Sequence, residues 1–151
     1  MKILLAIDPN AKAARTALRL SSILHAELTV LFVHDASWNE YLGSDWLSGS
    51  NSRGAFLEYV RDDEAQEDAR TQIVFKAMSG SAAYRWKSVT GRVTDEILRE
   101  AAQGYDLLIM SNPFRRGLEV VRDAVEVVAR RSPCDLVLVR PGEGSEPASE
   151  A

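Results

Sequence analysis

The sequence predicts an α/β protein built on an open parallel sheet, and three observations carry that expectation. Leu107 to Met110 is a short apolar run holding a β-branched residue, the pattern of a central parallel strand buried on both faces. Every strand-like run but the last is followed by a stretch of helical character, so the strands are expected to lie parallel with helices on both faces of the sheet. The run at Leu107 leads into Ser111-Asn-Pro-Phe-Arg-Arg-Gly117, just outside a strand's carboxyl end, where such sheets place their ligand crevice.

Taken in order, Lys2 to Ile7 reads as the first strand and Ala11 to Leu24 as a helix with Asn10 as N-cap. Ala13, Ala17, Leu20, Ser21 and Leu24 share one face of that helix. Glu27 to Val33, rich in Leu, Val and Phe, is a second buried strand and completes a βαβ unit with the right-handed crossover. Ala65, Ala69, Ile73 and Ala77 recur every four residues on a second helix, whose solvated side is Asp62, Asp63, Glu64, Glu67 and Asp68. Tyr84 to Val89 is a third strand and Thr94 to Gln103 a helix. Asp106 to Met110 and Leu136 to Arg140 complete five strands, with a helix from about Leu118 to Arg131 between them.

With 151 residues the chain fits one domain, expected over 1–140, with 141–151 as a disordered tail because it lacks apolar anchors. A composition of 46% hydrophobic and 26% charged residues with a net charge of −4 is that of a soluble globular protein, expected in the cytoplasm. It argues against nucleic-acid binding, which calls for a basic balance. Ile3 to Ile7 is too short for a membrane span or a signal-peptide core, so no membrane insertion is expected. The single cysteine, Cys134, allows no internal disulfide and, with only His25 and His34 beside it, no Cys/His zinc site. It reads as a small structural hydrophobe.

Asp35 to Gly54 is a long connection that leaves from the ligand edge of the sheet. Its Trp38, Tyr41 and Trp46 either pack the loop down or form a lid or partner surface.

Lys2 to Asp8, Val89 to Leu98, and Asp106 to Met110 with Val127 to Arg140 together resemble the universal stress protein family over residues 2 to 140. Lys2-Ile-Leu-Leu-Ala-Ile-Asp8 is similar to the family's opening strand ending in an aspartate. Val89-Thr-Gly-Arg-Val-Thr-Asp-Glu-Ile-Leu98 resembles its glycine turn into a helix. Asp106 to Met110, followed after a helix by Val127-Val-Ala-Arg-Arg-Ser-Pro-Cys-Asp-Leu-Val-Leu-Val-Arg140, is the most specific match. The resemblance implies an adenine nucleotide alpha hydrolase-like sheet in strand order 3-2-1-4-5.

In nucleotide-binding members of that family the loop after the fourth strand reads Gly, two residues, Gly, nine residues, then Gly followed by Ser or Thr. Here the first two positions fall on Ser111 and Phe114, and the last pair on Arg122-Asp123 or Ala124-Val125, depending on where the count begins. Neither alignment restores the motif. A phosphate cradle needs glycines so that backbone N–H groups can converge without Cβ obstruction. The expected cofactor is therefore none, with ATP as the alternative. Arg115, Arg116 and Arg122 cluster near the expected helix start, where guanidinium groups and a helix N-terminus can hold an anion. Asp8 and Ser111 complete this degenerate site, although Asp8 itself reads as a cap for the turn after the first strand. His34 ends the second strand without a paired nucleophile, so no catalytic machinery is expected.

In the order 3-2-1-4-5 the last strand lies at the sheet edge, and Leu136-Val-Leu-Val139 holds no lysine or internal proline to protect it. A homodimer pairing Leu136, Val137, Leu138 and Val139 with their symmetry mates is expected, as the resemblance also implies. The leading functional expectation is a non-enzymatic stress-response or regulatory protein acting as a dimer or through partner contacts. The alternatives are an ATP-binding sensor with weak or slow hydrolysis, and an accessory module docking through the 36–54 loop.

Overall fold

A computed structural model of the protein describes residues 1–36, 50–116 and 123–142. Five strands form one parallel sheet: β1 (Lys2–Ala6), β2 (Glu27–Asp35), β3 (Arg85–Gly91), β4 (Leu107–Ser111) and β5 (Asp135–Val139). They lie in the order β3-β2-β1-β4-β5, as expected, with every neighbouring pair parallel. Helices α1 (Ala11–Leu24) and α2 (Ser50–Ser79) cover one face, and α3 (Val93–Ala101) and α4 (Ala124–Arg131) the other.

Strand periodicity sorts the core into two layers. Along β1, Ile3 and Leu5 point to the α1/α2 side with Val30, Phe32 and Ile109, whereas Leu4 and Ala6 join Leu31, Leu108, Met110, Ile97 and Val128 on the other. All of these are buried, so β1, β2 and β4 are covered on both faces, which explains their near-continuous apolar runs. Small residues of α1, Ala13, Ala14 and Ala17, are buried against the sheet and let the helix backbone approach closely. Asn10 caps α1 by accepting from the Lys12 N–H at 2.9 Å, as its side chain suggested. His25 ends that helix in the left-handed region at φ 53°. Leu24, expected on the inner face, is exposed, because the helix ends there.

The second helix departs most from expectation. It begins at Ser50, so Ser50 to Gly54 belong to α2 and not to the long connection. Its faces are also reversed. Ala65, Ala69 and Ala77 are exposed and Ile73 is 70% exposed, while Glu64 and Asp68 are buried together with Phe75. Phe75 lies on the acidic side, and its buried ring, together with the donors that satisfy Glu64 and Asp68, sets the orientation of the helix. It packs edge-on to Tyr84 with centroids 4.8 Å apart and tilts against Trp86 at 6.0 Å. That rotation carries Glu64 and Asp68 inward, where donors from the sheet satisfy them.

Trp38, Tyr41, Trp46 and Arg122 lie outside the described residues, as does most of the expected helix start at Leu118 and of the tail 141–151. From Asp123 onward, α4 is capped by the Asp123 carboxylate, which accepts from the Glu126 N–H at 3.1 Å.

Candidate functional site

β1 delivers Asp8 to the carboxyl edge of the sheet, between the turn into α1 and the loop that leaves β4. Asp8 is 5% exposed, so the carboxylate needs local donors. Three are supplied. Oδ1 accepts from the Asn10 N–H at 3.0 Å and from the Ser111 hydroxyl at 2.7 Å, and Oδ2 accepts from the Arg115 N–H at 3.0 Å. Burial raises the Asp8 pKa above its usual value, and the bonds from Ser111, Arg115 and Asn10 with the nearby Arg116 charge oppose that rise without cancelling it. Asp8 therefore fastens two loops: through Asn10 it shapes the turn into α1, and through Ser111 and Arg115 it holds the loop after β4.

The same loop buries Phe114, 4% exposed, among Ala6, Val33, Met110 and Ala124. Arg115 is exposed, but Arg116 turns inward beneath the second strand. Its Nη2 donates to the Val33 carbonyl at 2.6 Å and to the Glu64 carboxylate, and the guanidinium lies 4.2 Å from the Phe32 ring centroid. Glu64 Oε1 also accepts from the Asp35 N–H at 3.2 Å. Arg116 Nε is buried with no hydrogen-bond partner among the described residues. The structure thus brings Asp8, Ser111 and the Arg115 backbone together, and places the Arg116 side chain in a buried ion pair between α2 and the sheet.

Beside Asp8 a cleft of about 220 Å³ opens between the start of α1 and the middle of α2. Its floor is mainly apolar, with Ile7, Val74, Phe75 and Met78, and Asp8, Asn10 and the Glu67–Arg70 ion pair supply its polar groups.

His34 was not expected to act as a catalyst, and the geometry gives it a different task. Asp68 accepts from Ser88 Oγ at 2.5 Å and Trp86 Nε1 at 3.0 Å, pairs with His34 Nε2 at 2.7 Å, and accepts from Gln72 at 3.0 Å. Burial raises the Asp68 pKa, but the bonds from Ser88, His34, Gln72 and Trp86 outweigh it and hold the carboxyl below its usual value. Ser, His and Asp meet here in the wrong sequence for catalysis. The acid stands between Ser88 and His34, whereas nucleophile activation requires the imidazole between hydroxyl and acid. This network pins α2 to β2 and β3. No signal in the spacing of the acids marked Asp68 as its centre; the polar residues His34, Trp86 and Ser88 on neighbouring strands were the available clue.

Cys134 is half-buried at the start of β5, and burial raises its thiol pKa, which disfavours the reactive thiolate. Among the described residues no cluster of three or more His, Cys, Asp or Glu side chains could hold a metal ion, and no helix is long and apolar enough to cross a membrane.

Phosphate binding at this edge would need free donors. The Ser111 hydroxyl and the Arg115 N–H are committed to a carboxylate, and the second glycine position of the nucleotide motif is a core phenylalanine.

Fold and site together define an open parallel α/β protein with a buried, hydrogen-bonded aspartate at the carboxyl edge of its sheet. The chain belongs to the universal stress protein family, whose model matches residues 1–140. No curated protein sequence matches it. Among solved structures it is similar to the universal stress protein UspA from Lactobacillus plantarum, with 20% identity, a TM-score of 0.66, and coverage of 93% of this chain and 97% of that one. It is equally similar to the hypothetical protein MJ0577, at 18% identity and TM-score 0.66, covering 95% and 97% of the two chains. A universal stress protein in complex with cAMP matches at 16% identity and TM-score 0.55, over 93% and 96%. At these identities the likeness speaks for the fold.

Proposed function

We propose that this protein is a non-enzymatic regulatory member of the universal stress family whose nucleotide site is degenerate, and that it acts as a dimer or through protein contacts. The observation that carries this reading is the use of the Asp8 carboxylate: it holds the Ser111 hydroxyl and the Arg115 N–H, two donors that an incoming phosphate would have to recruit. An anion approaching them would also meet the carboxylate itself. At 4 Å and an effective dielectric of 20 that repulsion is about 4 kcal/mol per unit charge, less with screening.

Titration calorimetry with ATP and magnesium tests it. Binding weaker than about 100 μM, on the affinity scale about −5.5 kcal/mol, is expected, and tighter binding would favour a nucleotide sensor. The sensor reading draws on the exposed Arg115 at the crevice and on the cAMP bound by the structural relative. In that reading Asp8 and the arginine-bearing loop of Arg115 and Arg122 would hold the nucleotide. An accessory role through the 36–54 connection is a third reading, and co-purification from native lysate addresses it.

A further inference from the structure

The reversal of α2 leaves a stripe on its outer side. Ala55, Tyr59, Asp62, Gln66, Arg70, Ile73 and Ala77 are all exposed, Tyr59 at 67% and Ile73 at 70%. Each lies three or four residues from the next, so they share one helical face. Their chemistry reads alike from both ends: small, large apolar, charged, amide, charge of the opposite sign, large apolar, small. A solvated helix face has no reason to be symmetric about its midpoint, whereas a face that meets its own copy across a two-fold axis does.

We infer that this stripe is an isologous interface with a second copy of the chain, α2 packing antiparallel on α2 about a two-fold axis at Gln66. That register sets Tyr59 against the partner's Ile73, Asp62 against the partner's Arg70 and Ala55 against the partner's Ala77. Gln66 meets the partner's Gln66, and an amide pair can donate and accept reciprocally. Charge along the helix supports the antiparallel sense. In the amino-terminal half exposed Glu58, Asp62 and Asp63 outweigh Arg61, while in the carboxyl-terminal half Arg70 and Lys76 outweigh the half-buried Glu67. A parallel pair would align like charges. Arg70 already bonds Glu67 in its own helix at 2.6 Å, and its guanidinium keeps further donors for the partner's Asp62. The face lies over β2 and β3, at the opposite side of the sheet from β5, so the two contacts can coexist and together would assemble more than two chains.

Cross-linking of the full-length chain tests this directly in a Cys134→Ser background. Gln66→Cys should give a disulfide-linked dimer under mild oxidation much faster than Glu126→Cys, an exposed control on α4 across the sheet. Tyr59→Cys with Ile73→Cys gives a second reading, because the two sites are about 21 Å apart along the helix and can be bridged only between chains. The charge pair is tested in a Val137→Lys background, which removes any contact through β5. There Asp62→Arg should weaken association in sedimentation by about tenfold or more, and adding Arg70→Asp should restore it. Circular dichroism confirms that each variant is folded. Cross-linking at position 66 no faster than at 126, or a double swap that fails to restore association, overturns the proposal without touching the β5 contact or the reading of the nucleotide site.

Discussion

Asp8 is a buried carboxylate on which three segments of the chain converge at the carboxyl edge of the sheet. Its three accepted hydrogen bonds tie strand, turn and loop, so Asp8→Ala leaves the Ser111 hydroxyl and the Arg115 N–H without their acceptor. A loss of about 2 kcal/mol in urea unfolding is expected. Its raised pKa gives a signature in pH. The folded state holds the proton more tightly than the unfolded one, so this contribution to stability is present below 3.8 and is lost as pH rises through the raised value. The stability difference between wild type and Asp8→Asn should therefore shrink as pH rises above 3.8. Asp68 has the opposite sign: its pKa is lowered, so its contribution is present above 3.8 and is lost as pH falls through the folded-state value. Asp68→Asn should flatten the acid limb of the stability profile and, with several donors left in poorer geometry, cost about 2 kcal/mol at neutral pH. A variant with an unchanged acid limb would mean that other carboxylates drive acid unfolding.

Among the elements, the loop after β4 and helix α2 carry the unexpected features. Phe114 stands where a nucleotide-binding relative has glycine, yet it serves as core, so Phe114→Gly should cost about 3–5 kcal/mol in chemical unfolding. Glycine there does not simply open the crevice: any gain in ATP affinity from Phe114→Gly with Asp123→Ser has to appear against that loss, and Asp123→Ser keeps a capping side chain for α4. Helix α2 is held by Phe75 and by two satisfied carboxylates, Glu64 on Arg116 and Asp68 on β2 and β3. Arg116→Met should be more damaging than its surface-like sequence context suggests, about 3–5 kcal/mol, because Glu64 would remain buried without its cation. A thermal shift of only a degree or two would contradict that estimate.

Among the described residues β5 is an edge strand, paired with β4 on one side, with Leu138 at 38% exposure. An apolar edge without lysine or internal proline invites pairing, and a second copy across a two-fold axis would cover it with its own equivalent surface. Val137→Lys is expected to shift sedimentation toward the smaller species, and Val139→Pro to act likewise by removing a ladder donor. If the Val137→Lys profile matches wild type, β5 is not the contact.

Sequence alone determined the layered architecture, because the apolar runs of β1, β2 and β4 can be buried only in a sheet covered on both faces, and each is joined by a helix-forming segment. It also exposed the absent glycines, and it marked Asp8 as a cap because an acid after a first strand has neighbouring N–H groups within reach. Tertiary structure alone decided which way α2 faces. Its alanines suggested one side and its acids the other, but the buried ring of Phe75 and donors scattered over His34, Trp86, Ser88 and Arg116 made the acidic side the inner one. Those donors lie far apart in the chain and meet only when β2, β3 and the loop after β4 are side by side. The same holds for Arg116. As a neighbour of Arg115 it reads as an anion ligand, and only the folded chain places Glu64 and the Val33 carbonyl within its reach, since the burial of a charge is decided by the partners that the fold assembles around it.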